Sequence, residues 1–199
     1  MSAETAHKDK RQLVFDAAEQ VFAKRGYQAT TMQEIADSVC MAKGTLYHYF
    51  DSKQELFTSL METRLGSLTH QFAAAFTHSQ NVADCVEVWL QLEAAFFNEH
   101  QGLISVSLQA HAELPDTLRQ RMMLKKRELK RFLCSVFQKH ISTDQEHVEF
   151  IVSFVDGAIK GTLMKALSDE RPLVIDEFII AMKHLLLYGI TGERTIPHG

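Results

Sequence analysis

Only three prolines, Pro115, Pro172 and Pro197, occur in the 199 residues, alongside nine glycines. Few positions therefore force a break in a helix. No strand-like alternation bounded by turn pairs is present, whereas apolar residues recur at three- and four-residue spacings. The chain is constrained to long helices, and the expected fold is all-α with about nine of them.

The local signals place these helices. Leu13/Val14, Ala17/Ala18 and Val21/Phe22 form one apolar stripe of a first helix over about 8–25, which Gly26 ends. "TMQE", Thr31 to Glu34, is a capping box and starts a second helix with Met32, Ile35, Ala36 and Val39 inward. A turn at Cys40 and Met41 leads to a third helix over about 42–49, anchored by Leu46 and Phe50. "SKQE", Ser52 to Glu55, is a second box and opens a fourth helix reaching about 78. A fifth spans about 82–100 and a sixth about 103–112. Pro115 suits the start of a seventh reaching about 140. "TDQE", Thr143 to Glu146, opens an eighth ending near 168, and Pro172 separates it from a ninth over about 174–190. The expected domains are 1–53 and 54–199.

A content of 46% hydrophobic and 23% charged residues is that of a globular chain rather than a disordered one. No apolar run approaches the roughly 18 residues that span a bilayer, so no membrane partner is expected. The polar start "MSAETAHKDKRQ" is unlike a signal peptide, which makes the cytoplasm the expected location. Cys40, Cys85 and Cys134 are too few and too far apart for a disulfide framework or a thiolate metal site, and no cofactor or metal is expected. They read as small buried hydrophobes, with a Cys85–Cys134 redox switch as the alternative. Net charge is -4, and residues 1–60 hold seven Lys/Arg against eight Asp/Glu, so any anionic partner needs basic groups sorted to one side.

The first helices, two of them separated by a tight turn, outline a helix-turn-helix unit. Its third helix carries "AKGTLYHYF", Ala42 to Phe50, too polar for a core and too aromatic for a plain solvated face. A helix in the major groove needs side chains for phosphates and for base edges. Lys43 and Lys53 suit phosphates, and Tyr47 can donate its hydroxyl to one. Thr45, His48 and Tyr49 are expected on the exposed face, and Gly44 lets the backbone come close. Thr31 and Lys53 lie at helix N-termini, which favour an anion.

The stretch "TTMQEIADSVCMAKGTLYHYFDSKQELF", Thr30 to Phe57, resembles the DNA-binding signature of the TetR (tetracycline-repressor-like) family of bacterial transcriptional regulators. The resemblance covers about residues 10–60 and implies contacts to double-stranded DNA from Thr31, Gln33, Lys43, Gly44, Thr45, Tyr47, His48, Tyr49 and Lys53. It makes Gln33 and Lys43 the candidates for base edges. Lys8, Lys10 and Arg11 are candidate arm contacts. Two positions depart from the pattern: Cys40 stands where the turn commonly has Gly, and Ala42 where Ser or Thr is common.

The C-terminal segments "VEFIVSFVDGAIKGTLMKAL" and "DEFIIAMKHLLLYGI" are too apolar for an isolated helix pair, with Phe150 and Phe154 among the residues left to cover. A homodimeric four-helix bundle is expected, with Ile151, Val155, Ala158, Ile159, Thr162, Phe178, Met182, Leu185 and Leu186 at the interface. The resemblance implies the same, and a ligand pocket besides. Phe72, Phe76, Trp89, Phe96, Phe97, Met122 and Phe132 are candidates to line it, though a packed core explains them equally. Glu93, one turn from Trp89 and Phe97, either faces that pocket or is solvated. His100 and His111 are candidate partners for a ligand's polar end. "RQRMMLKKRELKR", Arg119 to Arg131, holds seven basic residues and one acid, either a solvated face or a seat for a phosphate-bearing effector.

The function expected from all this is a homodimeric, sequence-specific repressor released from a palindromic operator by a small apolar or amphipathic effector. A regulator controlled by a protein partner or by cysteine oxidation is the alternative. Enzyme chemistry on Glu93, His100 or His111 lacks any HExxH, GxSxG or phosphate-loop motif, and no catalytic residue is assigned.

Overall fold

The computed structural model describes residues 3–110, 114–169 and 174–189. Eight α-helices and no strand occur among the described residues: α1 (Ala3–Ala29), α2 (Met32–Ser38), α3 (Lys43–Tyr47), α4 (Lys53–Ala75), α5 (Val82–Ala110), α6 (Asp116–Phe137), α7 (Gln145–Ser168) and α8 (Ile175–Tyr188). None of them is long and apolar enough to cross a membrane. His111 and Pro172 lie outside the described residues.

Several boundaries follow from local chemistry. Gly26 breaks α1 by taking φ 77, a value that only glycine adopts without strain. Thr31 caps α2, and both halves of its box with Glu34 are formed. Ser52 accepts from the Glu55 N–H at 3.0 Å, as a cap should. The Glu55 carboxylate, however, accepts from Arg121 at 2.7 Å and Ser59 at 2.9 Å. The third expected box is not made: Asp144, not Thr143, caps α7, its carboxylate accepting from the His147 N–H at 2.9 Å. Asp is the stronger acceptor, and His147 stands where a box needs Glu or Gln.

The expected fifth and sixth helices are one helix, α5, kinked at His100 (φ -117, ψ 21). Gly102 sits just beyond the kink for a packing reason. A Cβ there would lie 2.3 Å from the Ala23 Cβ, so only glycine lets α1 approach.

The chain forms two compact units, one from the described residues of Met1–Gly66 and His100–Lys125, the other from those of Ser67–Glu99 and Lys126–Gly199. Residues 54–66 and 100–125 thus pack with the N-terminal helices rather than with the C-terminal ones. The reason is one continuous core, in which Phe15, Phe22, Ile35, Leu46, Phe50, Phe57 and Leu60 join Leu103, Val106 and Met122. Met122 therefore fills the first unit's core rather than a pocket of the second.

Two arginines tie the first unit together outside that core. Arg121 grips Glu62 through Nε at 3.0 Å and Nη2 at 2.6 Å, besides its bond to Glu55. The hydrogen bonds that Arg121 donates to Glu62 and Glu55 raise its pKa further above the usual value. Arg64 bridges Asp16 at 2.7 Å and Glu19 at 2.8 Å. Glu19 also pairs with His100, so His100 is spent on fold rather than on a ligand. Burial alone would raise the Glu19 carboxyl, but the hydrogen bonds and charges of His100 and Arg64 together hold it below its ordinary value.

Candidate nucleic-acid interface

α2 and α3 are joined by a turn whose backbone is closed by Cys40 N–H to Asp37 O at 3.1 Å and Met41 N–H to Ala36 O at 2.8 Å. Cys40 takes φ 52, and it is the single non-glycine residue with positive φ among the described residues. The position calls for the glycine that this sequence lacks, since a left-handed conformation costs an L-residue roughly 1–2 kcal/mol. Ala42 is the N-cap of α3 and makes no side-chain cap bond, so the departure seen at that position leaves an amide uncapped.

α3 has only five helical residues, too short to be stable alone. It is held by Leu46 and Phe50, both fully buried. Burying each contributes about 1.5–3 kcal/mol as an upper estimate. Arg11 reinforces the end of this segment. Its guanidinium lies 4.6 Å from the Phe50 ring centre and donates to the Tyr49 carbonyl at 3.3 Å. That makes Arg11 a packing residue.

With Leu46 and Phe50 pinned inward, Lys43, Gly44, Thr45, Tyr47 and His48 are exposed on the opposite side. Tyr47 keeps 42% of its surface in solvent. The Lys43 ammonium sits 5.9 Å from the Tyr47 ring centre, which turns both toward one patch. Gly44 has no fold-based explanation: its φ is ordinary and a Cβ would meet nothing within 4 Å. A helical glycine facing open space suits the close approach of something outside the chain.

Four of the expected contact residues are otherwise engaged. Lys53 donates to the carbonyls of Tyr27 at 2.7 Å, Thr30 at 2.8 Å and Gln28 at 3.2 Å, and lies over the Tyr27 ring. It closes the end of α1, which an exposed phosphate ligand would not do. Tyr49 is half-buried against the core rather than projecting. Gln33 is exposed, but its amide donates to Asp37 at 2.7 Å. The Thr31 hydroxyl donates to Glu34 at 3.0 Å. The Glu34 carboxyl is held below its usual range, chiefly by the Thr31 backbone N–H.

In the second unit, Phe72 stacks on Phe76 at 5.4 Å, Phe76 meets Phe132 at 6.1 Å, and Trp89 meets Phe137 edge-on at 5.6 Å. Phe97 is buried and Phe96 half-buried. Glu93 is not solvated: only 6% of it is exposed, and burial pushes its carboxyl up. The Trp89 indole N–H is buried, and its interaction with the Glu93 carboxyl only partly offsets the effect of that burial. Cys85 and Cys134 are free thiols, each pushed up chiefly by burial, which argues against reactive thiolates.

The expected interface set divides. Val155, Ile159, Phe178 and Met182 are buried within the chain's own core. They therefore do not form an exposed interface. Ile151, Ala158 and Leu186 are half-buried, and Thr162 and Leu185 exposed. On α7 and α8 the most exposed large apolar side chains are Phe150 (70% exposed), Phe154 (63%) and Ile180 (69%), and Tyr188 is exposed as well.

A short capped helix, a tight turn and a second helix that presents a Lys/Thr/Tyr/His patch define a helix-turn-helix protein of the DNA-binding class. Residues 14–60 match the family of bacterial regulatory proteins called tetR. This N-terminal segment is thus similar to the DNA-binding segment of that family.

Over 102 residues it is 29% identical to the uncharacterized HTH-type transcriptional regulator YfiR of Bacillus subtilis, covering 51% of this chain and 46% of that one. The chain spans about half the length of the curated relatives it matches. Relatives over shorter stretches of 59 to 73 residues include repressors and an activator. Among solved structures, FadR from Bacillus subtilis in complex with stearoyl-CoA superposes with a TM-score of 0.77 at 18% identity, over 90% of this chain and 98% of that one. AibR in complex with isovaleryl coenzyme A and operator DNA gives 0.67 at 18% identity, over 88% and 96%. At such identities these two likenesses establish the fold.

Proposed function

We propose that the protein is a homodimeric transcriptional repressor that reads a palindromic operator through α3 and leaves it when a small amphipathic ligand enters the second unit. The observation that carries the reading is the α3 surface. Gly44, Thr45, Tyr47, His48 and Lys43 face outward with no role in the fold, on a helix whose other side is fully buried. Tyr47 and Lys43 serve phosphates, while Thr45 and His48 face base edges.

A second copy of the chain is the proposed cover for Phe150, Phe154 and Ile180, three large apolar side chains whose exposure a lone subunit does not explain. A Cβ on Gly157 or Gly161 would meet nothing within 4 Å, so these glycines are free to admit a neighbouring helix on that side. Two-fold symmetry then sets two α3 helices about one DNA turn, or a multiple of it, apart. The aromatic cluster around the buried Glu93 carboxyl and Trp89 indole is the proposed effector region. The solved neighbours holding stearoyl-CoA and isovaleryl coenzyme A support an amphipathic effector. Ligand and operator then compete through reciprocal coupling.

Selection of bound duplexes from a random pool tests this, comparing wild type with Tyr47→Ala. The expected result is a palindrome for wild type that is lost or strongly weakened in the variant. Enrichment of no sequence under reducing conditions would refute the reading.

A further inference from the structure

The basic stretch 119–131 is not uniform. Its first half is neutralised, with Arg119 paired to Asp116 and Arg121 to Glu55 and Glu62. Its second half is not. Arg127, Lys130 and Arg131 are exposed and make no ion pair or hydrogen bond among the described residues. Their spacing puts all three on one face of α6, where like charges repel and weaken a helix. The one acid of the run, Glu128, lies in this half but is not among the residues that line the groove described next.

These three cations line a groove between α6 and α7 with Cys134, Ser135, Gln138, Gln145 and Glu149, and its volume is about 610 Å³. That is the size of a small-molecule site, roughly 300–1,000 Å³. Its one carboxylate, Glu149, already accepts from Gln145 at 3.0 Å. Gln138 donates to the Thr143 carbonyl at 2.9 Å. Burial pushes the Cys134 thiol up, so it stays neutral and adds no negative charge. What the groove offers a ligand is therefore two guanidinium forks and an ammonium against the single Glu149 carboxylate, an excess of positive charge. Guanidinium forks match phosphate oxygens in pairs, and the ammonium adds a point charge.

We propose that the α6–α7 groove is an anion site that holds the phosphate groups of a small phosphorylated ligand on Arg127, Lys130 and Arg131. This rests on the reading of the second unit as effector-binding, and it names the chemistry of the effector's polar end. The concave shape separates it from a duplex contact, which needs a surface that follows a groove or backbone rather than a pocket.

The test is calorimetric titration of the full chain with adenosine 3′,5′-bisphosphate and, separately, pyrophosphate, at low and physiological salt. Wild type is expected to bind both, more weakly as salt rises. Arg127→Ala with Arg131→Ala should weaken binding by about tenfold or more. Lys130→Gln, a milder second variant, should lose less. Arg119→Ala, already paired to Asp116, should change nothing. Equal binding by wild type and the double variant overturns the proposal, as does failure of wild type to bind either probe. Displacement of the probes by random duplex DNA through these same three side chains also overturns it, in favour of a nucleic-acid contact. Operator binding is measured on the same preparations. Probe binding without any preferred DNA sequence would remove the repressor reading and leave the groove standing.

Discussion

Gly44→Ala separates fold from function at the proposed reading surface. Gly44 is the second residue of α3, has an ordinary helical φ, and a Cβ there would touch nothing within 4 Å. Alanine in a helix interior is favoured over glycine by about 0.5–1 kcal/mol. At the first turn of so short a helix, about 0.5 kcal/mol is the reasonable gain. For a chain of this size that raises the melting temperature by about 1–2 °C. The same methyl group stands where the backbone is proposed to meet DNA. Overpacking a close contact costs about 1–3 kcal/mol, a loss of roughly fivefold to more than a hundredfold in affinity. Thermal melts followed by circular dichroism and fluorescence anisotropy on the selected operator read the two effects separately. A variant as stable as predicted that binds DNA as well as wild type would refute the placement of Gly44 against the duplex.

Other outcomes follow from the same packing and electrostatics. Cys40→Gly relieves the left-handed strain at φ 52 and should raise stability by about 1 kcal/mol in urea denaturation. Gly102→Ala sets a methyl group 2.3 Å from the Ala23 Cβ and should destabilise the first unit by about 1–3 kcal/mol, seen as a lower melting temperature. Phe150→Glu with Phe154→Glu should give monomers in analytical ultracentrifugation without a change in helical content. Glu93 has a folded-state pKa above its ordinary 4.5, so the stability it contributes is full below that value and is lost as pH rises through the folded pKa. Glu93→Gln should therefore match wild type at low pH, be more stable near neutrality, and flatten the pH profile of the melting temperature.

The fold was legible where a boundary is written in local chemistry. Gly26, the Thr31–Glu34 box and the Cys40–Met41 turn all stand where the sequence puts them, because each depends on residues within four positions. The bonds that Lys53 makes within the fold were not legible, because its three carbonyl partners lie 23 to 26 residues upstream and no pattern near a helix start announces them. α7 shows a different limit. Val155 and Ile159 share one stripe, while Phe150 and Phe154 share another. With apolar residues on both sides, periodicity does not reveal which stripe faces in. Glu93 is similar, since a carboxylate beside aromatics reads as solvated until the packing of α5 encloses it. The basic run looked uniform because Glu55 and Glu62, which neutralise Arg121, come from a different helix.

The central claim is that two copies of α3 read one DNA site together. Fluorescence anisotropy of the full chain on the selected palindrome and on its isolated half-site, with stoichiometry fixed by titration, tests it most directly. Two protomers per palindrome, with affinity well above that for the half-site and lost in Tyr47→Ala, is the predicted result. Equal affinity for palindrome and half-site, or one protomer per duplex, would contradict it.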